Sequence, residues 1–191
     1  MATLDAFLAP LQLSLSGLHG AQWRARDGRL HQLELDPQAT AELARRLGAI
    51  AGRHPGALFE DKSLSFALHY RNAPASGAAI EREVEAVAAA APDFEVQRGK
   101  MVIELKPRGS SKGAALARFM LEEPFKGRIP IMAGDDLTDE GAFARAQDLG
   151  GTAIKIGDGP SCARLRLASP EALADWLVRI LKPYSSQGTH A

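Results

Sequence analysis

The apolar run Ile129-Pro130-Ile131-Met132-Ala133, stopped by Gly134 and followed at once by Asp135, Asp136 and Asp139, constrains this chain more than any other feature. A run this short reads as a buried strand rather than a helix. In an open α/β sheet, ligands collect in the crevice outside the carboxyl ends of the strands. Carboxylates crowded there repel one another unless a cation offsets their charge. A helix start explains one acid as its N-cap, Thr138 or Asp139 being placed for that role, and leaves two unexplained. The cluster therefore reads as a hard-metal site formed by Asp135, Asp136 and Asp139. Mg²⁺, which favours oxygen ligands, is the simplest occupant.

The sequence around this motif has two characters. From Ser111 onward helix and strand alternate: helix 112–121, strand 129–133, helix 140–149, strand 152–156 and helix 170–181, the pattern of a parallel α/β layer. Before Ser111 the chain is richer in strands. A short helical piece (3–9) and an alternating segment (11–18) lead into a hairpin, 21–26 with 30–35, turning at Asp27-Gly28. Asp36-Pro37 opens a helix to about residue 53, with Leu43, Leu47 and Ile50 on one face. Strands over 57–60 and 64–70, a helix over 79–90 and strands over 94–98 and 101–105 complete an antiparallel sheet with helices on one face. The expected fold is α/β: a partial Rossmann-like core of parallel strands and helices with an inserted α+β cap. The expected divisions are a core segment (1–20), the cap (21–107), a core part carrying the Lys and acidic motifs (108–182) and a disordered tail (183–191).

Composition narrows the function. Among 191 residues, 23 basic and 23 acidic side chains leave no net charge, so the balance favours neither nucleic acid nor an anionic membrane. No apolar stretch has the length of a membrane span, and Asp5 stands where a signal peptide carries basic residues. A lone Cys162 permits no internal disulfide and suits a reducing cytoplasm, the expected location. Oligomeric state is left open by the sequence.

Two further groups can carry chemistry. Lys112, in Gly109-Ser110-Ser111-Lys112-Gly113, begins a helix, where backbone N–H groups and a point charge together suit an anion. It is either a phosphate-binding lysine or part of an ordinary capped helix start. The acidic strand end follows one helix later, and phosphate with Mg²⁺ needs both at one sheet edge. The second group is Glu60 with Lys62 and Glu104 with Lys106, each pair two apart on a strand and so sharing a face. Such a face is either simply solvated or fitted to a sugar, which needs many directional donors and acceptors. His69 reads as structural.

Together the segments Leu18-His19-Gly20-Ala21, Phe66 to Arg71, Val102 to Gly109, Ser111-Lys112-Gly113, Gly134 to Glu140 and Lys155-Ile156-Gly157 resemble the trehalose-phosphate phosphatases, a family of the haloacid dehalogenase superfamily. The resemblance implies Mg²⁺-dependent hydrolysis of trehalose 6-phosphate to trehalose and phosphate. By position it implies that Lys112 binds the phosphoryl group and that Glu60, Lys62, Glu104 and Arg108 bind the substrate. Asp135 becomes the metal ligand, supported by Asp136 and Asp139. Two departures stand out. Gln22 replaces a glutamate common in the family, and the family's Asp-x-Asp-Gly-Thr strand, whose first Asp attacks phosphorus, has no counterpart among these residues. Asp36, before a proline, is better read as a helix cap than as a substitute. The expectation is an N-terminally truncated phosphatase, inactive alone, whose missing strand belongs in the middle of the parallel sheet. The alternatives are a non-catalytic sugar-binding remnant and a related sugar phosphatase acting on sucrose phosphate.

Overall fold

Asp36 begins the longest helix of the strand-rich part. Its carboxylate accepts the backbone N–H groups of Gln38 and Ala39 at 2.8 and 3.3 Å, and Pro37 fixes the first helical φ. In the computed structural model, which describes residues 2–11 and 13–185, this helix is α2 (Pro37–Arg53), burying Leu43, Leu47 and Ile50. Helix α3 (Gly77–Ala88) presents Ile80, Val84 and Val87 in the same way. Both stripes pack on a four-stranded antiparallel sheet of β4 (Leu58–Asp61), β5 (Phe66–His69), β6 (Phe94–Gly99) and β7 (Val102–Pro107), in the order β4-β5-β7-β6. Phe66 and Leu68 of β5 and Ile103 and Leu105 of β7 meet the helices in one apolar core. Burying a side chain such as Leu47, which is 0% exposed, contributes about 2 kcal/mol. Gly77 starts α3 directly against the Tyr70 ring, 2.9 Å from where a Cβ would stand. The Tyr70 hydroxyl donates to Glu81 at 2.5 Å, and that bond, with burial, holds the phenol above its ordinary pKa.

Ahead of this sheet come α1 (Ala2–Leu8) and a three-stranded antiparallel sheet of β1 (Leu15–Gly17), β2 (Gln22–Arg24) and β3 (Leu30–Gln32). Its hairpin places Trp23 opposite His31, the two rings stacked at 5.3 Å. The strand expected over 11–18 shrinks to three residues, and Gln12 within that span lies outside the described residues.

The chain divides between Ser110 and Ser111 into two compact units. Residues up to 20 fall in the first unit with the four-stranded sheet, and the division follows the expected cap boundary by three residues. The second unit is a parallel sheet, order β10-β9-β8, of β8 (Ile131–Gly134), β9 (Thr152–Ile156) and β10 (Leu165–Leu167), with helices α4 (Lys112–Phe119), α5 (Glu140–Asp148) and α6 (Pro170–Ser185). Gly113 lets α4 approach α5: a Cβ there would stand 2.6 Å from the Gly141 carbonyl oxygen.

Three expectations are corrected here. Strand β8 starts at Ile131 rather than residue 129, leaving Ile129 73% exposed. Strand β10 was not anticipated, because three residues are too few to show a period and two of them are exposed. Helix α6 continues through Ser185, so 183–185 are not part of a tail, while 186–191 lie outside the described residues.

Candidate active site

In the second unit, β8 ends at Gly134 and the chain turns through a single helical turn (Leu137–Asp139) into α5. That turn is closed by two of the three acids. The Asp136 carboxylate accepts the Thr138 N–H at 3.2 Å, and Asp139 Oδ2 accepts the Asp136 N–H at 3.0 Å. Each acid thus satisfies a backbone donor that the helix start leaves free. The other oxygen of Asp139, Oδ1, receives Lys112 Nζ at 2.6 Å. Asp139 is only 3% exposed, and Lys112 supplies the opposite charge that makes its burial tolerable. Gly134 is obligatory beside it, since a Cβ would stand 2.3 Å from the Asp139 carboxylate. Lys112 itself lies in the first turn of α4, whose cap is Ser111: Oγ accepts the Ala114 N–H at 3.0 Å.

Asp135 differs from its neighbours. It is exposed, and its carboxylate has no partner among the described residues, whereas its carbonyl oxygen accepts Lys155 Nζ at 2.7 Å. Lys155 is buried and donates also to the Ile156 carbonyl at 2.9 Å, clamping the loop after β8 to the end of β9. Among the described residues no group of three His, Cys, Asp or Glu side chains is close enough to hold a metal. The structure therefore does not bring Asp135, Asp136 and Asp139 together as three ligands. Two of them build the loop, and Asp135 is the carboxylate left open.

In the first unit the polar groups converge on the sheet face opposite the helices. Glu60 of β4, Ala67 of β5, Glu104 of β7 and Gln97 of β6 are register partners in one row. The small Ala67 leaves room between the two glutamates, and Lys62 spans it, with Nζ 3.6 Å from Glu60 Oε2 and 3.4 Å from Glu104 Oε1. A histidine closes each end: His69 Nε2 lies 3.0 Å from Glu60 Oε2, and His19 Nε2 lies 3.1 Å from Glu104 Oε2. Nitrogen and carboxylate groups alternate across five side chains. Burial tends to raise the Glu104 carboxyl, but the His19 hydrogen bond and the charges of His19 and Lys62 outweigh it, so the group is held below its ordinary pKa. On the neighbouring positions of β7 and β6, Lys106 Nζ bonds to Glu95 at 3.0 Å and to the Ser110 carbonyl at 2.5 Å.

Arg108 is not brought to this row. Its guanidinium donates to the Pro92 and Phe94 carbonyls at 2.8 and 2.9 Å, which staples the end of β7 to the start of β6. His19, by contrast, joins the row from far away in sequence. It lies on a left-handed stretch, Leu18 at φ 50°, His19 at φ 55° and Gly20 at φ 90°, and each non-glycine residue there costs about 1–3 kcal/mol. The sequence marked it only as part of the resembling segment Leu18-His19-Gly20-Ala21, with no sign of a contact to Glu104. His69, read from the sequence as structural, lies two residues from Ala67 on the same face of β5, and its contact to Glu60 gives it a place in the polar row. Cys162 is exposed and free. Its thiol, beside Glu140 and partly desolvated, is held above the ordinary range, which keeps it a poor nucleophile.

A parallel sheet flanked by helices, with a lysine at a helix start bonded to the acidic loop that follows a strand end, is the arrangement of the haloacid dehalogenase fold. That fold is shared with a haloacid dehalogenase-like hydrolase from B. subtilis, 16% identical over 93% of this chain and 84% of that one, at a TM-score of 0.61. Residues 1–170 match the family model for trehalose-phosphatase, and the chain belongs to that family. It is 42% identical to trehalose-6-phosphate phosphatase of Escherichia coli K12 over 180 residues, covering 94% of this chain and 68% of the relative. A crystal structure of a trehalose-6-phosphate phosphatase related protein superposes at a TM-score of 0.77 with 25% identity, over 97% of this chain and 79% of the other. The relatives are phosphoric monoester hydrolases.

Proposed function

We propose that the chain serves the Mg²⁺-dependent hydrolysis of trehalose 6-phosphate to trehalose and phosphate in the cytoplasm. The carrying observation is the alternating polar row on the first unit: a disaccharide presents many hydroxyls that both donate and accept, and the row offers acceptors (Glu60, Glu104) flanking a donor (Lys62). In this reading the first unit is the cap and the second the catalytic core. Family membership and the exposed carboxylate of Asp135 support the metal: Mg²⁺ takes one or two protein carboxylates and otherwise keeps water and phosphate oxygens, which a single open Asp satisfies. When bound, Mg²⁺ neutralises charge on the phosphate. Asp135 would hold it, Asp136 and Asp139 hold the loop that aims Asp135, and Lys112 binds the phosphoryl oxygens by turning its ammonium from Asp139 or sharing it. No Asp-x-Asp, the motif to which the family resemblance assigns the attacking carboxylate, occurs among these 191 residues.

Calorimetric titration with two ligands tests this. Glu60→Gln, Lys62→Ala and Glu104→Gln should each weaken both trehalose and trehalose 6-phosphate. Lys112→Ala should weaken only the phosphorylated sugar. Equal affinity of the wild-type chain for sucrose 6-phosphate, or loss of neither ligand in the row variants, would overturn the assignment.

A further inference from the structure

Resting on the reading of Glu104 as a sugar-binding carboxylate, we infer that His19 is a positioning residue for that grip. Glu104 is offered by a rigid strand, yet a carboxylate at the end of a glutamate side chain turns freely unless something fixes it. Both of its oxygens are engaged, and by groups of different character. Oε1 faces Lys62 at 3.4 Å, a long contact from a flexible side chain that is also shared with Glu60. Oε2 faces His19 Nε2 at 3.1 Å, a firmer bond from a ring with only two rotatable angles.

The way His19 is held argues for this role. Leu18 and His19 both occupy the left-handed region, at φ 50° and 55°, where non-glycine residues are uncommon. The segment is fixed in that shape by the Ala21 N–H to the Leu18 carbonyl (3.0 Å) and by the Leu33 N–H to the Ala21 carbonyl (2.8 Å), with Ala21 and Gly20 buried. Backbone strain of this kind persists where the surroundings over-determine it, and it clusters at sites that need preorganisation. His19 is 85 positions from Glu104 in sequence, and no local geometry of β7 requires the contact. The partner at the other end of the row is unlike it: His69 reaches Glu60 from the adjacent strand, on ordinary extended backbone, with 39% and 47% of their side chains exposed. His19 and Glu104 are each largely shielded, with 21% and 12% of their side chains exposed. The asymmetry assigns fixed geometry to Glu104 and an adjustable one to Glu60.

The test measures trehalose binding to the whole 191-residue chain by calorimetry, with thermal melting alongside. Variants are His19→Ala, His19→Gln, His69→Ala and Glu104→Gln. Glutamine carries an N–H donor at nearly the reach of Nε2, so it keeps the bond to Oε2 where alanine deletes it. Expected is an affinity loss of about tenfold in His19→Ala, the size of one lost hydrogen bond to a charged group. Recovery to within about threefold of wild type is expected in His19→Gln, with His69→Ala near wild type. A purely structural His19 would lower the melting temperature of both His19 variants alike and show no recovery of binding in glutamine, which overturns the inference. Unchanged affinity in His19→Ala overturns it also. If Glu104→Gln weakens binding while His19→Ala does not, the inference alone fails. If Glu104→Gln binds as wild type does, or the unsubstituted chain does not bind trehalose, the reading of the row fails and the inference with it.

Discussion

Lys112 Nζ stands 2.6 Å from Asp139 Oδ1, and the other oxygen of Asp139 receives the Asp136 N–H at 3.0 Å. One buried carboxylate thus joins the start of α4 to the loop after β8. That pairing separates three acids that are nearly indistinguishable in sequence: Asp139 and Asp136 hold the loop, and Asp135 is left for a ligand.

Stability should follow this division. Asp139→Ala orphans the Asp136 N–H and leaves Lys112 without its partner, and it should lower unfolding free energy by about 2 kcal/mol. Asp136→Ala removes a cap and should cost about 1 kcal/mol. Asp135→Ala should stay within about 0.5 kcal/mol of wild type. Urea denaturation of the three variants gives the ranking. An Asp135→Ala variant as unstable as Asp139→Ala would show that the exposed acid is part of the scaffold.

Gly134 should tolerate no side chain. A Cβ at that position meets the Asp139 carboxylate at 2.3 Å, so Gly134→Ala must displace the buried acid and should destabilise by about 1–3 kcal/mol. Thermal melting reads the loss. Combined with Asp139→Ala the penalty should be less than additive, because the displaced group is then already gone.

Glu104 gives a pH signature. Its folded-state pKa lies below the ordinary value of 4.5, so ionised Glu104 stabilises the fold fully above that value, and the contribution is lost as pH falls through the lowered one. The stability gap between wild type and Glu104→Gln should shrink on acidification below 4.5. A gap that widens in acid would contradict the direction of the shift.

Phosphate release offers the plainest measurement. A polypeptide of these 191 residues has no Asp-x-Asp; if attack on phosphorus falls to that motif, as the family resemblance implies, its absence costs several orders of magnitude in rate. It should release phosphate from trehalose 6-phosphate no faster than its own Asp135→Ala variant. A chain that supplies an Asp-x-Asp strand ahead of residue 1 should turn over, and Asp135→Ala should then abolish the activity.

The helix cap at Asp36 was legible because capping is local: the donors it satisfies are two and three residues ahead. For the same reason the stripe Leu43, Leu47 and Ile50 and the paired faces of β4 and β7 followed from periods of 3.6 and 2. β10 was illegible because a three-residue, half-exposed strand carries no periodic signal; only pairing with β9 defines it. Arg108 lay in the stretch Val102 to Gly109 that carries the family resemblance, yet spends its guanidinium on two carbonyls, of Phe94 in β6 and of Pro92 before it. A strand sequence cannot tell which of its charges turns back to the main chain.

By itself the sequence determined the two element patterns, the helix caps, the core stripes and the presence of a carboxylate cluster at a strand end, because each depends on residues within a few positions of one another. Tertiary structure alone decided which carboxylate remains open, which lysine carries the buried acid and which histidine fixes Glu104. Those choices depend on distances of about 3 Å between side chains that are 27 and 85 positions apart, and only the packed chain sets such distances.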